Sequence, residues 1–230
     1  RIMSNLATAE RTWRARSVDA GVVGQLAGSC GLSRATATLL FLRGISNPDD
    51  AKKFLAASLA DMDDPSQMAD ISRAASRLVS AVDGRERIVV YGDYDVDGVT
   101  STAVLWLFFR DVLGLELETY IPHRLREGYG LNAEAIRALA AAGTQVLVTV
   151  DNGSSANEEA ALAKSLGMDV IVIDHHQVSH PEPDVFAHLN PHRASCDYPY
   201  KGLAAVGVVF LLLIELRRVL RSSQIPLKIT

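Results

Sequence analysis

Apolar positions along the chain change their period near residue 87. Before it the spacing is helical. Val22 to Leu42 repeats at helical intervals and closes at Arg43-Gly44, where glycine suits a C-cap. Asn47-Pro48-Asp49-Asp50 predicts a second helix, with Asn as cap, Pro in the first position and acids where the helix dipole favours them. Asp64-Pro65 breaks the chain, and Met68 to Val82 predicts a third helix with Ile71, Ala74, Ala75, Leu78 and Val82 on one face, closed by Gly84. Residues 1 to about 20 have no clear period and read as an extended arm with short helical turns.

From Arg87 onward apolar β-branched runs alternate with helical patterns. Strands are predicted at Ile88–Tyr91, Leu115–Ile121, Val146–Val150 and Val170–Ile173. Helices are predicted at Ser101–Leu113, after Asn132 as far as Gly143, at Asn157–Leu166 and at Leu203–Leu220. Repeated β-α units with near-continuous apolar strands imply an α/β fold, a parallel sheet with helices on both faces, preceded by a small helical N-terminal region. The expected division is a helical lead-in over 1–86, the α/β domain over 87–222 and a tail over 223–230.

At 230 residues and 48% hydrophobic content the chain can bury a sizeable core. Its net charge of -4 argues against a general basic coat for nucleic acid, yet leaves room for a phosphate substrate, and carboxylates that hold metal would account for the acidity. Two distant cysteines, Cys30 and Cys196, fit free thiols in a reducing cytoplasm, and no regular ligand spacing supports zinc beside Cys196. No basic-then-apolar signal is seen, and the apolar run Leu203–Ile214 is shorter than a membrane span and reads as a core helix.

The chemistry falls at predicted strand ends. Asp93, Asp95 and Asp97 crowd three carboxylates into one segment after the first strand, where they repel unless protonated or bridged by a cation. A solvated acidic turn is the plain alternative, and a calcium loop would need a bidentate Glu and a preceding helix that are not there. Asp151-Asn152-Gly153 follows the third strand and Asp174-His175-His176 the fourth. Asp151 could simply cap a turn, and His175 and His176 could be one buried and one surface histidine. In an open parallel sheet, however, ligands bind beyond the carboxyl ends of the strands, so the three loops can share one edge. Oxygen donors with imidazole suit a manganese-type site better than calcium or structural zinc. Two such ions can share a carboxylate, lower the pKa of water and clamp the leaving oxygen of a phosphoester.

Pro122 to Leu131 adds Arg124 and Arg126, which suit phosphate, and Tyr129, which can stack on a base; a solvated loop with a glycine hinge is the alternative. His180, His188 and His192 lie in a Pro-rich loop and read as surface groups or supports for the ligands.

Together, Gly-Asp-Tyr-Asp-Val-Asp-Gly (92–98), Val-Asp-Asn-Gly (150–153) and Asp-His-His (174–176) resemble the motifs of the DHH phosphoesterase superfamily, and within it the RecJ family of single-strand DNA exonucleases. Arg-Gly-Ile (43–45), Asp-Asp-Pro (63–65), Pro-His-Arg through Glu-Gly-Tyr-Gly-Leu (122–131), Asn-Pro-His (190–192) and the stretch 198–208 extend the resemblance. It implies Asp95, Asp97, Asp151 and His175 as metal ligands, with Asp151 bridging two Mn2+ or Mg2+ ions. It also implies that Asp93 completes the acidic motif, Asp174 supports the histidines, His176 faces the scissile phosphate and Arg124 touches substrate phosphate; Tyr129 and Asn152 are the other candidates for binding substrate. The implied reaction is 5′ to 3′ hydrolysis of single-stranded DNA in repair and recombination.

The family also carries a fourth metal-binding Asp and further domains after the helix here placed at Leu203–Leu220, whereas no Asp follows Asp197. The chain therefore reads as a truncated first catalytic domain, whose activity alone the resemblance does not imply. Three alternatives keep part of this reading: a DHH-type phosphodiesterase for oligoribonucleotides or cyclic dinucleotides, a manganese pyrophosphatase, and a RecJ-like replication scaffold without chemistry.

Overall fold

The computed structural model describes residues 14–223 together with Ile225 and Lys228. Most of the arm expected over residues 1 to about 20, and most of the tail expected over 223–230, lie outside the described residues. The chain falls into two compact units, Arg1–Met62 and Asp63–Thr230.

The first unit contains α1 (Ala20–Cys30), α2 (Arg34–Leu42) and α3 (Pro48–Leu55). The single run expected from Val22 to Leu42 is thus two helices. Gly31, at φ 64°, ends α1 in the left-handed conformation that glycine adopts without strain, and the Ser33 hydroxyl accepts the Thr36 N–H to start α2. The third helix follows its sequence signal, with the Asn47 side chain accepting the Asp50 N–H ahead of Pro48. Val23, Leu26, Ala37, Leu40 and Ala51 form the core of this unit.

The second unit is a layered α/β domain. Its elements are α4 (Ile71–Asp83), β1 (Ile88–Tyr91), α5 (Val96–Phe108), β2 (Glu118–Tyr120), α6 (Ala133–Ala141), β3 (Val146–Val150), α7 (Asn157–Ser165), β4 (Asp169–Ile173), β5 (Ala187–Leu189) and α8 (Ala205–Ser222). Helix α4, grouped with the lead-in by the sequence pattern, packs on α8 within this unit. Among the described residues the sheet has five strands, all parallel, in the order β2-β1-β3-β4-β5. The fold class read from the β-α alternation is therefore the one observed.

Strand alternation divides the core. Val89, Tyr91, Leu147, Val170 and Val172 pack with Ile136, Leu139 and Ala163 of α6 and α7. Their neighbours Val90, Val148, Ile171 and Ile173, also fully buried, face the layer of α4, α5 and α8. The expected strand Leu115–Ile121 shrinks to three residues at the sheet edge, with Glu118 and Thr119 exposed, because a two-sided hydrophobic run is not needed there. The run Leu203–Ile214 is indeed a core helix, and among the described residues no helix is long and apolar enough to cross a membrane.

Two further differences bear on the site. The sequence pattern places the helix after β1 at Ser101, but α5 starts at Val96, because the Asp95 carboxylate accepts the N–H groups of Asp97 and Gly98 and caps it earlier. Asp97 is therefore in a helical first turn. His188, assigned to a loop, lies instead on β5 and is 2% exposed. A three-residue strand holding a polar residue carries too little apolar pattern to be read from sequence.

Candidate metal centre

The strand order reverses direction between β1 and β3, and the crevice beyond their carboxyl ends is where an open α/β sheet binds ligands. Register aligns Tyr91 with Thr149 and Val150 with Ile173, so the loops after β1, β3 and β4 start at one level. Asp93 and Asp95 enter the crevice from one side, Asp151 from the other, and Asp174, His175 and His176 from the neighbouring strand.

Close packing at Gly98 brings the acidic loop in. A Cβ there would sit well inside contact distance of the Asp93 backbone, so only glycine lets the start of α5 lie against the loop after β1. Asp151 adopts φ 63°, rare for a residue with a side chain, and its N–H is tied to the Ile173 carbonyl at 2.9 Å. Such strain persists where the surroundings hold a functional group in place.

Two donor groups result, each with its ligand atoms within 4.8 Å of one another: Asp93, Asp95 and Asp151, and Asp151, His175 and His176. Asp151 belongs to both. His175 Nε2 lies 3.2 Å from Asp151 Oδ1 and 3.7 Å from Asp97 Oδ2, so Asp97, on the helix, stands beside His175 but belongs to neither donor group. Both Asp151 oxygens and Asp93 Oδ1 are buried without a hydrogen-bond partner. A buried carboxylate left so is costly unless a cation or proton meets it, and hard oxygen donors with imidazole fit a Mn2+- or Mg2+-type ion.

Electrostatics agree with that demand. Burial, then the facing Asp95, pushes the Asp151 carboxyl up to about 8, and burial also raises Asp93. For Asp95 burial is outweighed by the N–H groups of Gly98 and Asp97, and its pKa falls. Burial opposes ionisation of Asp174 too, but the His176 ring and Ser154 hold it well below the usual carboxylate range. His176 is raised to about 8, chiefly by its hydrogen bond to Asp174.

The residues expected to meet substrate divide. Tyr129, 56% exposed, has its hydroxyl 3.4 Å from the Asp151 carbonyl and 3.5 Å from the His176 ring nitrogens. Arg124 stacks over Tyr94 at 5.3 Å, and its charge offsets a small part of the burial-driven rise of Asp93, so it is felt at the crevice. Asn152, by contrast, is buried with its amide on the Val150 carbonyl at 3.0 Å, and it shapes the loop rather than facing outward. Ser154, His188 and Asn190 were not singled out as site residues, although Asn190 stands in one of the motifs. The Ser154 N–H donates to Asp174 Oδ2 at 3.0 Å and its hydroxyl meets His188 Nε2 at 2.9 Å. Asn190 Nδ2 donates both to that hydroxyl and to the His176 carbonyl, at 2.8 and 2.9 Å. The polar His188 inside the apolar Phe186-Ala-His-Leu189 run was the available signal.

Fold and site define a class: an open parallel α/β domain with a cluster of hard metal donors where its strand order reverses. The sequence pattern of the DHH family, N-terminal domain, matches residues 87–229, and the chain belongs to the DHH family. Among curated proteins it is 41% identical over 200 residues to the single-stranded-DNA-specific exonuclease RecJ of Bacillus subtilis, covering 87% of this chain and 25% of that protein. It is 44% identical over 158 residues to RecJ of Salmonella typhimurium, covering 68% of this chain and 27% of that protein. The chain thus spans about a quarter of the length of these relatives. Of solved structures, exonuclease RecJ bound to manganese is similar at TM-score 0.61 and 33% identity, over 66% of this chain and 38% of that one. RecJ of Thermus thermophilus in complex with Mn2+ is similar at TM-score 0.68 and 26% identity, over 89% and 28%. The family expected from the three motifs is the family found.

Proposed function

We propose that this chain is the metal-binding catalytic domain of a 5′ to 3′ exonuclease acting on single-stranded DNA, of the kind used in repair and recombination. The observation that carries the reading is the buried Asp151 carboxylate, which receives no hydrogen bond and is common to two donor groups. Asp95, Asp97, Asp151 and His175 would hold two Mn2+ or Mg2+ ions, with Asp151 between them and Asp93 completing the acidic side. When bound, such ions lower the pKa of water and neutralise charge on a phosphodiester.

The chain's own groups do the rest. His176, with Nδ1 held 2.8 Å from Asp174 Oδ1, a hydrogen bond that raises its pKa to about 8 in the metal-free chain, faces a scissile phosphate as a hydrogen-bond or proton donor. Arg124 draws the phosphate chain toward the acidic edge, and the exposed Tyr129 ring offers a stacking face for a base. Two free cysteines fit work in a reducing cytoplasm. The relatives carry about three quarters of their length outside the matched stretch, and segments of that kind would supply the remaining DNA path.

The test is calorimetric titration with Mn2+ alongside hydrolysis of 5′-phosphorylated single-stranded DNA, short RNA and pyrophosphate. Mn2+ binding lost in Asp151→Asn, with DNA the preferred substrate, is the expected result. Preference for RNA or pyrophosphate would move the assignment to another DHH phosphoesterase, and Mn2+ binding unaffected by Asp151→Asn would refute the ligand set.

A further inference from the structure

We propose that His188, which stands outside every motif, is a positioning residue of the metal centre: with its own proton on Nδ1 it accepts the Ser154 hydroxyl at Nε2, and so fixes the loop that aims Asp174 and, through it, His176. The expected effect on rate rests on the nuclease reading above, whereas the positioning stands on the contacts alone. His188 Nε2 lies 2.9 Å from Ser154 Oγ, the Ser154 N–H donates to Asp174 Oδ2 at 3.0 Å, and Asp174 Oδ1 holds His176 Nδ1 at 2.8 Å. His188, Ser154 and Asp174 are all buried, so water does not compete for these bonds, and only His176 at the end of the line is exposed.

Asn190 sets the direction of the first bond. Its Oδ1 accepts the His192 N–H at 2.8 Å, which leaves Nδ2 to donate to the His176 carbonyl at 2.9 Å and to Ser154 Oγ at 2.8 Å. Ser154 Oγ therefore accepts from Asn190, and among the described residues its own proton has one acceptor, His188 Nε2. A buried hydroxyl proton left without an acceptor is costly, so Nε2 is bare and Nδ1 carries the ring hydrogen, facing Glu182 Oε2 at 3.5 Å. The backbone behind the ring is clamped as well. Asp70 Oδ2 accepts the His188 N–H at 3.2 Å, Arg193 Nη1 donates to the His188 carbonyl at 2.5 Å and to Asp70 at 2.8 Å, and Arg193 Nε donates to Glu182 at 2.7 Å. An apolar side chain would serve as packing between Ala187 and Leu189; the imidazole adds an acceptor where the loop after β3 needs one.

The experiment reads the proton, the loop and the rate. In the metal-free chain at neutral pH, long-range nitrogen–proton NMR should show His188 as the Nδ1-protonated tautomer. His188→Leu, which fills the space without an acceptor, should speed hydrogen exchange of the Ser154 and His176 N–H groups about tenfold relative to the amides of β1. His188→Gln, whose side-chain oxygen can accept the same proton, should bring that exchange back to within about threefold of wild type. On 5′-phosphorylated single-stranded DNA, His188→Leu should lower kcat about tenfold with KM within about twofold, and His188→Gln should restore it. Should His188→Leu fail to fold, Ser154→Ala breaks the same line with a smaller change and is expected to show the same selective exchange at the His176 N–H. The opposite tautomer, or exchange that rises equally in β1 as for a histidine that only fills the core, would overturn the proposal. The two readings fail separately. Selective exchange in a chain that does not cleave DNA keeps the positioning and removes the nuclease, whereas DNA cleavage with exchange and kcat unmoved in His188→Leu keeps the nuclease and removes the positioning.

Discussion

Asp174 and His176 form a tight pair, His176 Nδ1 donating to Asp174 Oδ1 at 2.8 Å, while the other Asp174 oxygen accepts the Ser154 N–H at 3.0 Å. The carboxylate is thus fixed by the Ser154 loop and in turn orients the imidazole. It follows that Asp174→Asn should lower the His176 pKa from about 8 to its ordinary range near 6.5 or below, because the leading cause of the rise is removed. Titration of the His176 ring by NMR in metal-free protein checks this. A midpoint that stays near 8 would show that Asp174 does not set the charge of His176.

Asp151 predicts an unusual stability profile in the absence of metal. Its carboxyl is raised to about 8 from 3.8, so between those pH values the unfolded chain is ionised where the folded one holds a proton. The folded state then binds more protons, and stability falls as pH rises through this window, by at most about 6 kcal/mol. Asp151→Asn should remove that loss: more stable than wild type at pH 8, with the advantage gone near pH 4. Mn2+ should narrow the gap at pH 8. At about a hundredfold excess over Kd it adds roughly 2.7 kcal/mol to the wild type, a rise of about 5–10 °C in Tm, and nothing to the variant. Thermal melts at pH 4 and 8, with and without Mn2+, measure both effects.

The α/β alternation was legible because β1, β3 and β4 are buried on both faces and therefore read as unbroken apolar runs. Their acidic and histidine-bearing ends were legible for the same reason, since each follows such a run directly. What sequence could not supply was the order β2-β1-β3-β4-β5, which makes those ends neighbours and depends on long-range pairing. Nor did it show the start of α5, where Asp95 is spent as a cap as well as being a donor. Ser154 was not read from sequence, and His188 was left open between surface group and support, because their meaning lies in a contact across 34 residues.

Gly98→Ala should be more damaging than a methyl group ordinarily is. The added carbon meets the Asp93 backbone rather than a movable side chain, so either α5 or the acidic loop must shift. Overpacking of this kind costs about 1–3 kcal/mol. Because the loop carries Asp93 and Asp95, Mn2+ affinity should fall as well, by tenfold or more. Unchanged affinity together with a wild-type Tm would show that the close approach is not needed.

His188 should give the chain an acid-sensitive limb of stability. Burial holds its pKa down to about 4, with the Arg193 charge adding to the effect, and its Nε2 shares a hydrogen bond with the Ser154 hydroxyl at 2.9 Å. Unfolding frees the ring to protonate near 6.5. Between pH 4 and 6.5 the unfolded state therefore binds the extra proton, and stability is full above 6.5 and lost as pH falls toward 4. The loss is on the order of 3 kcal/mol. His188→Gln can still hydrogen-bond Ser154 but cannot titrate, so its unfolding free energy should be flat across this range at the expense of some packing. Urea denaturation of metal-free wild type and variant at pH 4.5, 5.5 and 6.5 decides the matter, since parallel profiles would place the acid sensitivity in another group.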